Sequence, residues 1–133
     1  MKILKAGDSR PLLFQAFFNV DFGRMVSGVL IPNLCEEFLP KDSSYTLFAS
    51  SKSAGKSLTI NNKDVIVEEL NTRNIGEYDI ALFSAGGDRS KEFAEQFISQ
   101  GAYVVDNSSA FRMLEDVPLV VYGINENEIL KIQ

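Results

Sequence analysis

The chain has 133 residues, of which 45% are hydrophobic and 23% charged, and this composition is typical of a folded globular domain. Thirteen basic against eighteen acidic residues give a net charge of −5, so we expect no nucleic-acid partner. The chain has no histidine, which is the commonest metal ligand. It has a single cysteine, Cys35, so an intramolecular disulfide is excluded. No apolar run approaches the roughly 20 residues that cross a bilayer, so we expect no membrane partner and a cytoplasmic location.

The first half of the chain predicts a strand, a helix and a second strand. Residues 12–18 form a nearly continuous apolar run that is typical of a buried parallel strand, with a targeting segment as the weaker alternative. Residues 3–6 are another candidate for the first strand. Gly23 opens a helical pattern of apolar residues that ends at Pro40. Residues 45–49 predict the next strand.

The second half predicts a hairpin and then strands alternating with a helix. Residues 58–60 and 65–67 flank a turn-forming tetrapeptide at residues 61–64, a pattern that predicts a hairpin. A buried strand is expected at residues 80–83, followed by a helix that Gly101 terminates. The last two predicted strands are residues 102–105 and residues 119–122. Alternating strands and helices favour a single α/β domain with a doubly wound, mostly parallel, Rossmann-like sheet.

Ligands of such sheets bind beyond the carboxyl ends of the strands, so the loops at those ends are the candidate site. The loop at residues 19–23 has one glycine, Gly23, and lacks the earlier glycines that let a backbone approach a pyrophosphate. Read alone, it predicts weak phosphate binding. The loop after the second predicted strand offers hydroxyl and ammonium groups without an acid, which suits the 2′-phosphate of NADP: Ser50, Ser51, Lys52 and Ser53. The alternative is a solvated basic loop.

Two further loops carry candidate binding groups. Because glycine has no Cβ, the third loop lets the backbone lie close to a flat ligand, or it simply forms a tight turn: Ser84, Ala85, Gly86 and Gly87. The fourth loop, residues 106–112, ends in Arg112, whose planar guanidinium pairs with carboxylate or phosphate. The alternative for Arg112 is a salt bridge to Glu115 or Asp116. Cys35 lies within the predicted helix, and we interpret it as a core residue rather than a nucleophile.

Several of these segments, taken together, resemble the aspartate-semialdehyde dehydrogenase family. The matching runs are residues 50–56, residues 80–87, residues 104–113 and residues 117–121. The similarity extends in register from about Gly23 to the C-terminus, and it is that of the family's N-terminal, NADP-binding domain. Residues 1–22 do not resemble the family and form an atypical N-terminal segment with a probable first strand. Residues 23–133 are then expected to be an NADP-binding domain that stops before the catalytic domain.

The resemblance implies a role for each loop. Family members reduce aspartyl phosphate to L-aspartate 4-semialdehyde with NADPH, on the route to lysine, threonine and methionine. Lys52 and Ser53 would hold the 2′-phosphate, the loop from Ser84 to Gly87 would line the nicotinamide, and Arg112, with Asn107 beside it, would bind the substrate phosphate. The family's catalytic cysteine and histidine belong to sequence after this chain, so no catalytic or metal-binding residue is expected within it. A homo-oligomer is expected for the full-length enzyme.

Two departures and two alternatives accompany the resemblance. The family's glycine-rich first loop aligns with residues 17–23 and keeps only Gly23. Where the family commonly has arginine, Lys52 offers a point charge without a bidentate fork. The nearest enzyme alternative is an N-acetyl-glutamyl-phosphate reductase, which the run from Asn107 to Arg112 fits less well. The other alternative is a non-enzymatic α/β remnant.

Overall fold

The computed structural model describes residues 2–4, 15–19, 33, 36–37, 39, 43–84 and 86–132. These residues form one seven-stranded sheet, whose strands are β1 (Lys2–Leu4), β2 (Gln15–Asn19), β3 (Ser44–Ala49), β4 (Ser57–Ile60), β5 (Lys63–Glu69), β6 (Ile80–Phe83) and β7 (Tyr103–Asp106). One long helix, α1 (Gly87–Ser99), connects β6 to β7, and a 3-10 helix spans Glu126–Lys131.

The sheet has the order β1-β7-β6-β2-β3-β5-β4. Strand β2 pairs in parallel with both β3 and β6, and the pairs β3–β5 and β6–β7 are parallel as well. The chain therefore proceeds outward in both directions from β2, which is the arrangement that produces a switch point in a Rossmann-like sheet. Two antiparallel strands, β1 and β4, form the edges. The predicted mostly parallel α/β sheet is confirmed.

Both segments considered for the first strand contain one. Strand β2 lies at the centre of the sheet and begins at Gln15, whereas residues 12–14 of the predicted strand lie outside the described residues. Strand β1 pairs antiparallel with β7 at the sheet edge. Most of the predicted helix from Gly23, including Cys35, also lies outside the described residues. Of its described residues, Asn33, Glu36 and Glu37 are helical and Leu39 lies in a bend.

The predicted hairpin is confirmed, but its turn is shorter than predicted. Ile60 pairs with Lys63, so only Asn61 and Asn62 form the turn, and both have positive φ angles, 50° and 61°. Asparagine tolerates this left-handed conformation, which a two-residue type I′ turn requires at both positions. Lys63 and Asp64 are consequently the first residues of β5 rather than part of the turn.

Helix α1 packs its apolar face on the sheet. Phe97 is fully buried, and its ring lies 5.5 Å from the Phe83 ring, edge to face, and 5.7 Å from that of Tyr78. At the helix end, Gly101 has a φ of +89° and donates its N–H to the carbonyl oxygen of Ile98 at 2.8 Å. The N–H of Ala102 donates to the carbonyl oxygen of Phe97, which completes a Schellman motif. The prediction that Gly101 ends this helix is confirmed.

Two predicted strands need correction. The strand expected at residues 102–105 is β7, shifted by one residue, because the Ala102 N–H serves the helix cap. The strand expected at residues 119–122 is wrong, since Leu119 forms only an isolated bridge. The side chain of Asn125 accepts the Val121 N–H at 2.6 Å and donates to the Leu119 carbonyl at 2.8 Å. These are hydrogen bonds that a neighbouring strand would otherwise make.

The segment around residues 113–130 exposes several large apolar side chains. Met113, Tyr122, Ile124 and Leu130 are each between 80% and 93% exposed. No helix in the described parts of the chain is long and apolar enough to cross a membrane.

Candidate functional site

The carboxyl ends of four parallel strands are aligned in one row across the sheet. Asp106 pairs with Phe83, Phe83 with Asn19, and Asn19 with Phe48. Because these strands are parallel, the loops that follow them leave the same edge. The first predicted loop, with Gly23, lies outside the described residues apart from Asn19. The other three predicted loops, after β3, β6 and β7, all leave this edge, as expected.

The row also fixes how far apart these loops are. Neighbouring strands are about 4.8 Å apart, and β7 and β3 are separated by three such steps. The loop that carries Arg112 is therefore about 14 Å, measured across the sheet, from the loop that carries Lys52. Arg112 and Lys52 therefore lie on the same edge of the sheet, near its opposite ends.

The loop after β3 is a compact turn anchored to the neighbouring strand. The carbonyl oxygen of Ser50 accepts hydrogen bonds from the N–H groups of Ser53 at 2.9 Å and Ala54 at 3.2 Å. Gly55 has a φ of +85° and donates its N–H to the carbonyl oxygen of Val67 in β5 at 2.8 Å. The turn is held by its backbone, so its side chains are not needed to maintain it.

Those side chains are presented to solvent. Ser50, Ser51 and Lys52 are exposed, and Ser53 is half-buried. Lys52 forms no ion pair with any described residue. Lys52 therefore offers an ammonium group, and the neighbouring serines offer hydroxyl groups, to an anion.

The loop after β6 leads directly into helix α1. Gly86, with φ 104° and ψ 155°, precedes the helix, and its carbonyl oxygen accepts the N–H of Ser90 at 3.3 Å. This backbone conformation is essentially restricted to glycine. No side chain caps the first turn of α1, so its leading N–H groups remain available to a ligand. Ala85 lies outside the described residues.

The glycine loop lies against the loop after β7. Ser84 accepts a hydrogen bond at its Oγ from the side-chain amide of Asn107 at 3.4 Å. A Cβ atom on Gly87 would lie 3.6 Å from the backbone nitrogen of Ala110, which is ordinary van der Waals contact. The predicted glycine loop and the predicted phosphate-binding loop are thus direct neighbours.

Arg112 is held by backbone carbonyl groups of its own loop. Its Nε donates to the carbonyl oxygen of Ser108 at 3.1 Å, and its Nη2 donates to that of Asn107 at 3.3 Å. It forms no ion pair with Glu115 or Asp116, so the structural alternative raised from the sequence is wrong. These partners are neutral, so no carboxylate of the described residues offsets the positive charge of the guanidinium, and the donors of Nη1 remain available.

Asp106, the first residue of the fourth predicted loop, is a buried carboxylate between these two loops, and the sequence did not predict its burial. Asp106 is 1% exposed and accepts three hydrogen bonds, from Ser90 Oγ at 3.0 Å, Ser108 N–H at 2.8 Å and Ser108 Oγ at 2.7 Å. The Asp-x-Ser spacing is the available sequence signal, since an aspartate often binds the backbone N–H two residues on. Burial of Asp106 and its bond to Ser90 depend on the tertiary fold and have no local signal.

This chain is similar to known proteins over most of its length. The protein-family model described as the semialdehyde dehydrogenase NAD-binding domain matches residues 25–132. The aspartate-semialdehyde dehydrogenase of Aquifex aeolicus is 51% identical over 84 residues, which are 62% of this chain and 25% of that protein. That of Bacillus subtilis is 43% identical over 84 residues, 63% of this chain and 24% of that protein. The chain thus spans about a quarter of the length of these curated relatives.

A solved structure resembles the fold closely. The crystal structure of aspartate semialdehyde dehydrogenase II complexed with ASA, from Vibrio cholerae, superimposes with a TM-score of 0.75 and 33% identity. The match covers 90% of this chain and 39% of that chain.

Proposed function

Because this chain belongs to the semialdehyde dehydrogenase family and matches the NAD-binding domain of that family, we propose that it is the cofactor-binding part of an aspartate-semialdehyde dehydrogenase. The reaction would be the NADPH-dependent reduction of L-aspartyl 4-phosphate to L-aspartate 4-semialdehyde, in the biosynthesis of lysine, threonine and methionine. The full-length protein would be a cytoplasmic homo-oligomer. When bound, the nicotinamide cofactor supplies a hydride.

The described residues fit an extended dinucleotide along the carboxyl edge of the sheet. At the β3 end, Lys52 has no acidic partner among the described residues, and Ser50, Ser51 and Ser53 add hydroxyl groups to the same turn. A cation among hydroxyls is the arrangement that suits the 2′-phosphate of NADP rather than the free ribose of NAD. This observation carries the proposal of NADP as the cofactor.

The centre of the edge fits the reactive half of the cofactor. Residues 84–87 would line the nicotinamide, because Gly86 leaves open space where a side chain would stand. The uncapped first turn of α1 offers N–H groups to an anion. Gly23 would contribute to the pyrophosphate site in the loop after β2.

The β7 end fits the phosphate group of the substrate. The positive charge of Arg112 has no acidic partner among the described residues, and Asn107 lies between it and Ser84. A guanidinium held in a fixed plane binds phosphate through parallel hydrogen bonds. The role of these two residues would be to bind and orient aspartyl phosphate beside the cofactor.

We assign no catalytic residue to this chain. It contains no histidine, and its single cysteine, Cys35, belongs to the predicted helix rather than to a loop at the carboxyl edge. Incubated with NADPH and aspartyl phosphate, the purified chain should therefore show no turnover.

Calorimetric titration of the chain with NADPH and NADH tests the cofactor assignment. We expect NADPH to bind at least about tenfold more tightly than NADH, since only NADPH carries the phosphate that Lys52 would pair with. Equal affinities would contradict the NADP assignment. Flat titrations with both cofactors would instead support a non-enzymatic α/β module.

A further inference from the structure

A buried aspartate connects the two loops that the proposed site uses. Asp106 is the last residue of β7, and its three hydrogen bonds reach α1 on one side and the Arg112 loop on the other. It is exposed by only 1%, so it cannot itself be a surface ligand for cofactor or substrate. Burying a charge costs free energy unless it is fully hydrogen-bonded, and a partly satisfied one would be strongly destabilising.

On the loop side, the hydrogen bonds lead from Asp106 to Arg112 in two steps. Asp106 binds both the N–H and the hydroxyl of Ser108, at 2.8 and 2.7 Å. The carbonyl oxygen of Ser108 then accepts the Nε–H of Arg112 at 3.1 Å. Because Ser108 is held at its N–H and its side chain, the direction of its carbonyl group is constrained. This carbonyl and that of Asn107, which accepts Nη2 at 3.3 Å, together orient the guanidinium.

On the helix side, Asp106 reaches the glycine loop through Ser90. The Ser90 hydroxyl donates to Asp106 at 3.0 Å, and two further oxygen atoms lie 3.3 Å from it, the carbonyl oxygen of Gly86 and the hydroxyl of Ser108, which donates to it. The Ser90 backbone N–H is also bonded to the Gly86 carbonyl. Asp106 therefore links the start of α1 to the segment that carries Asn107 and Arg112.

We propose that Asp106 is a positioning residue that holds the guanidinium of Arg112 at a fixed place beside the Gly86–Gly87 loop. Bound substrate phosphate and bound nicotinamide would then lie in a constant relative geometry. The benefit for binding rests on the proposed function, whereas the effect of Asp106 on Arg112 does not depend on any ligand.

The direction in which Asp106→Asn changes phosphate affinity distinguishes a positioning role from simple electrostatic repulsion. A carboxylate near an anion site repels the anion, so its neutralisation alone would strengthen phosphate binding. If Asp106 acts by holding Arg112, removing its charge should weaken phosphate binding, because the loop loses its charge-assisted hydrogen bonds. The two accounts therefore predict opposite changes in affinity for the Asp106→Asn variant.

The test uses the Arg112 Nε–H signal in ¹H–¹⁵N NMR spectra of the whole chain, with inorganic phosphate as the probe. In the Asp106→Asn variant we expect solvent exchange of this N–H to become about tenfold faster and the dissociation constant for phosphate to rise about fivefold to tenfold. Unchanged exchange, or a dissociation constant that falls, would overturn the proposal.

A second variant decides the matter if Asp106→Asn does not fold. Ser108→Ala keeps the charge of Asp106 and its bond to the Ser108 N–H, but it removes the hydroxyl that contacts Asp106 at 2.7 Å, Ser90 at 3.3 Å and the Ala110 N–H at 3.1 Å. It should accelerate the same exchange and weaken phosphate binding. Ser99→Ala is the matched control, because it removes a serine hydrogen bond at the other end of α1 and should leave both readouts unchanged. An effect of Ser99→Ala equal to that of Ser108→Ala would also overturn the proposal.

Failure of the proposed function would have a different signature. If the native chain binds neither phosphate nor NADPH, the proposed function is wrong, and the Arg112 exchange rates alone decide the role of Asp106. If the native chain binds both ligands while the Arg112 signal is insensitive to Asp106, the proposed function stands and the positioning role is wrong.

Discussion

Arg112 donates a hydrogen bond from Nε to the carbonyl oxygen of Ser108, four residues earlier in the same loop. The basic residue at the β7 end of the sheet is therefore held by neutral groups, and no carboxylate of the described residues offsets its charge. Lys52 at the β3 end likewise forms no ion pair within the described residues. In a chain with a net charge of −5, two unneutralised cations at one edge of the sheet favour an anionic ligand there.

The charge of Lys52 should determine which nicotinamide cofactor binds. Lys52→Glu replaces a cation with an anion beside the proposed 2′-phosphate, so we expect NADPH affinity to fall by at least about tenfold and NADH affinity to change little. Calorimetry measures both constants. Lys63→Glu is the matched control, because it makes the same charge change at the start of β5. If both variants lose NADPH equally, a general charge effect explains the result and Lys52 has no specific role.

Gly86 and Gly87 should respond differently to alanine. Gly86 has a φ of +104° and a ψ of 155°, so Gly86→Ala should lower the free energy of unfolding by about 1–3 kcal/mol. At Gly87 a Cβ would make only ordinary contacts, 3.6 Å from Ala110, so Gly87→Ala should be neutral or slightly stabilising. Urea denaturation of both variants checks this, and equal losses at the two positions would show that φ is not the cause.

Phe97 should dominate the stability of the core under α1. It is fully buried against Phe83 and Tyr78, so Phe97→Ala should cost roughly 3–5 kcal/mol of unfolding free energy. Tyr122 is 93% exposed, and Tyr122→Ala should change that free energy by less than about 0.5 kcal/mol. Chemical denaturation followed by circular dichroism measures both, and a comparable loss at Tyr122 would contradict this description of the core.

The apolar pattern predicts most of the sheet because buried parallel strands have continuous apolar runs. Residues 80–83 coincide with β6. The end of α1 at Gly101 was also predictable, because glycine readily adopts the positive φ that this position requires. Residues 119–122 mislead because their apolar character suits a strand, whereas the side chain of Asn125 takes the backbone hydrogen bonds. The Asn125 side chain reaches this backbone only because the chain turns between them, and the pattern of apolar residues does not predict that turn.

The sequence predicts which loops form the candidate site, but it does not predict the hydrogen bonds that join these loops. Lys52 and Arg112 follow from the rule that ligands bind at carboxyl strand ends. The hydrogen bonds of Asp106 to Ser90 and Ser108 join residues up to sixteen positions apart, and only the fold brings these groups together. The roles assigned to Gly23 and Ala85 stay predictions, since both residues lie outside the described parts of the chain.

The most direct test of the central claim, that a dinucleotide lies along the carboxyl edge of the sheet, is a ¹H–¹⁵N NMR titration of the chain with NADPH. We predict that the largest shifts fall on backbone amides of residues 50–53, 86–90 and 107–112, which lie at that edge. Shifts confined to the opposite edge, at the Asn61–Asn62 turn and at Gly101, or no shifts at all, would contradict the claim.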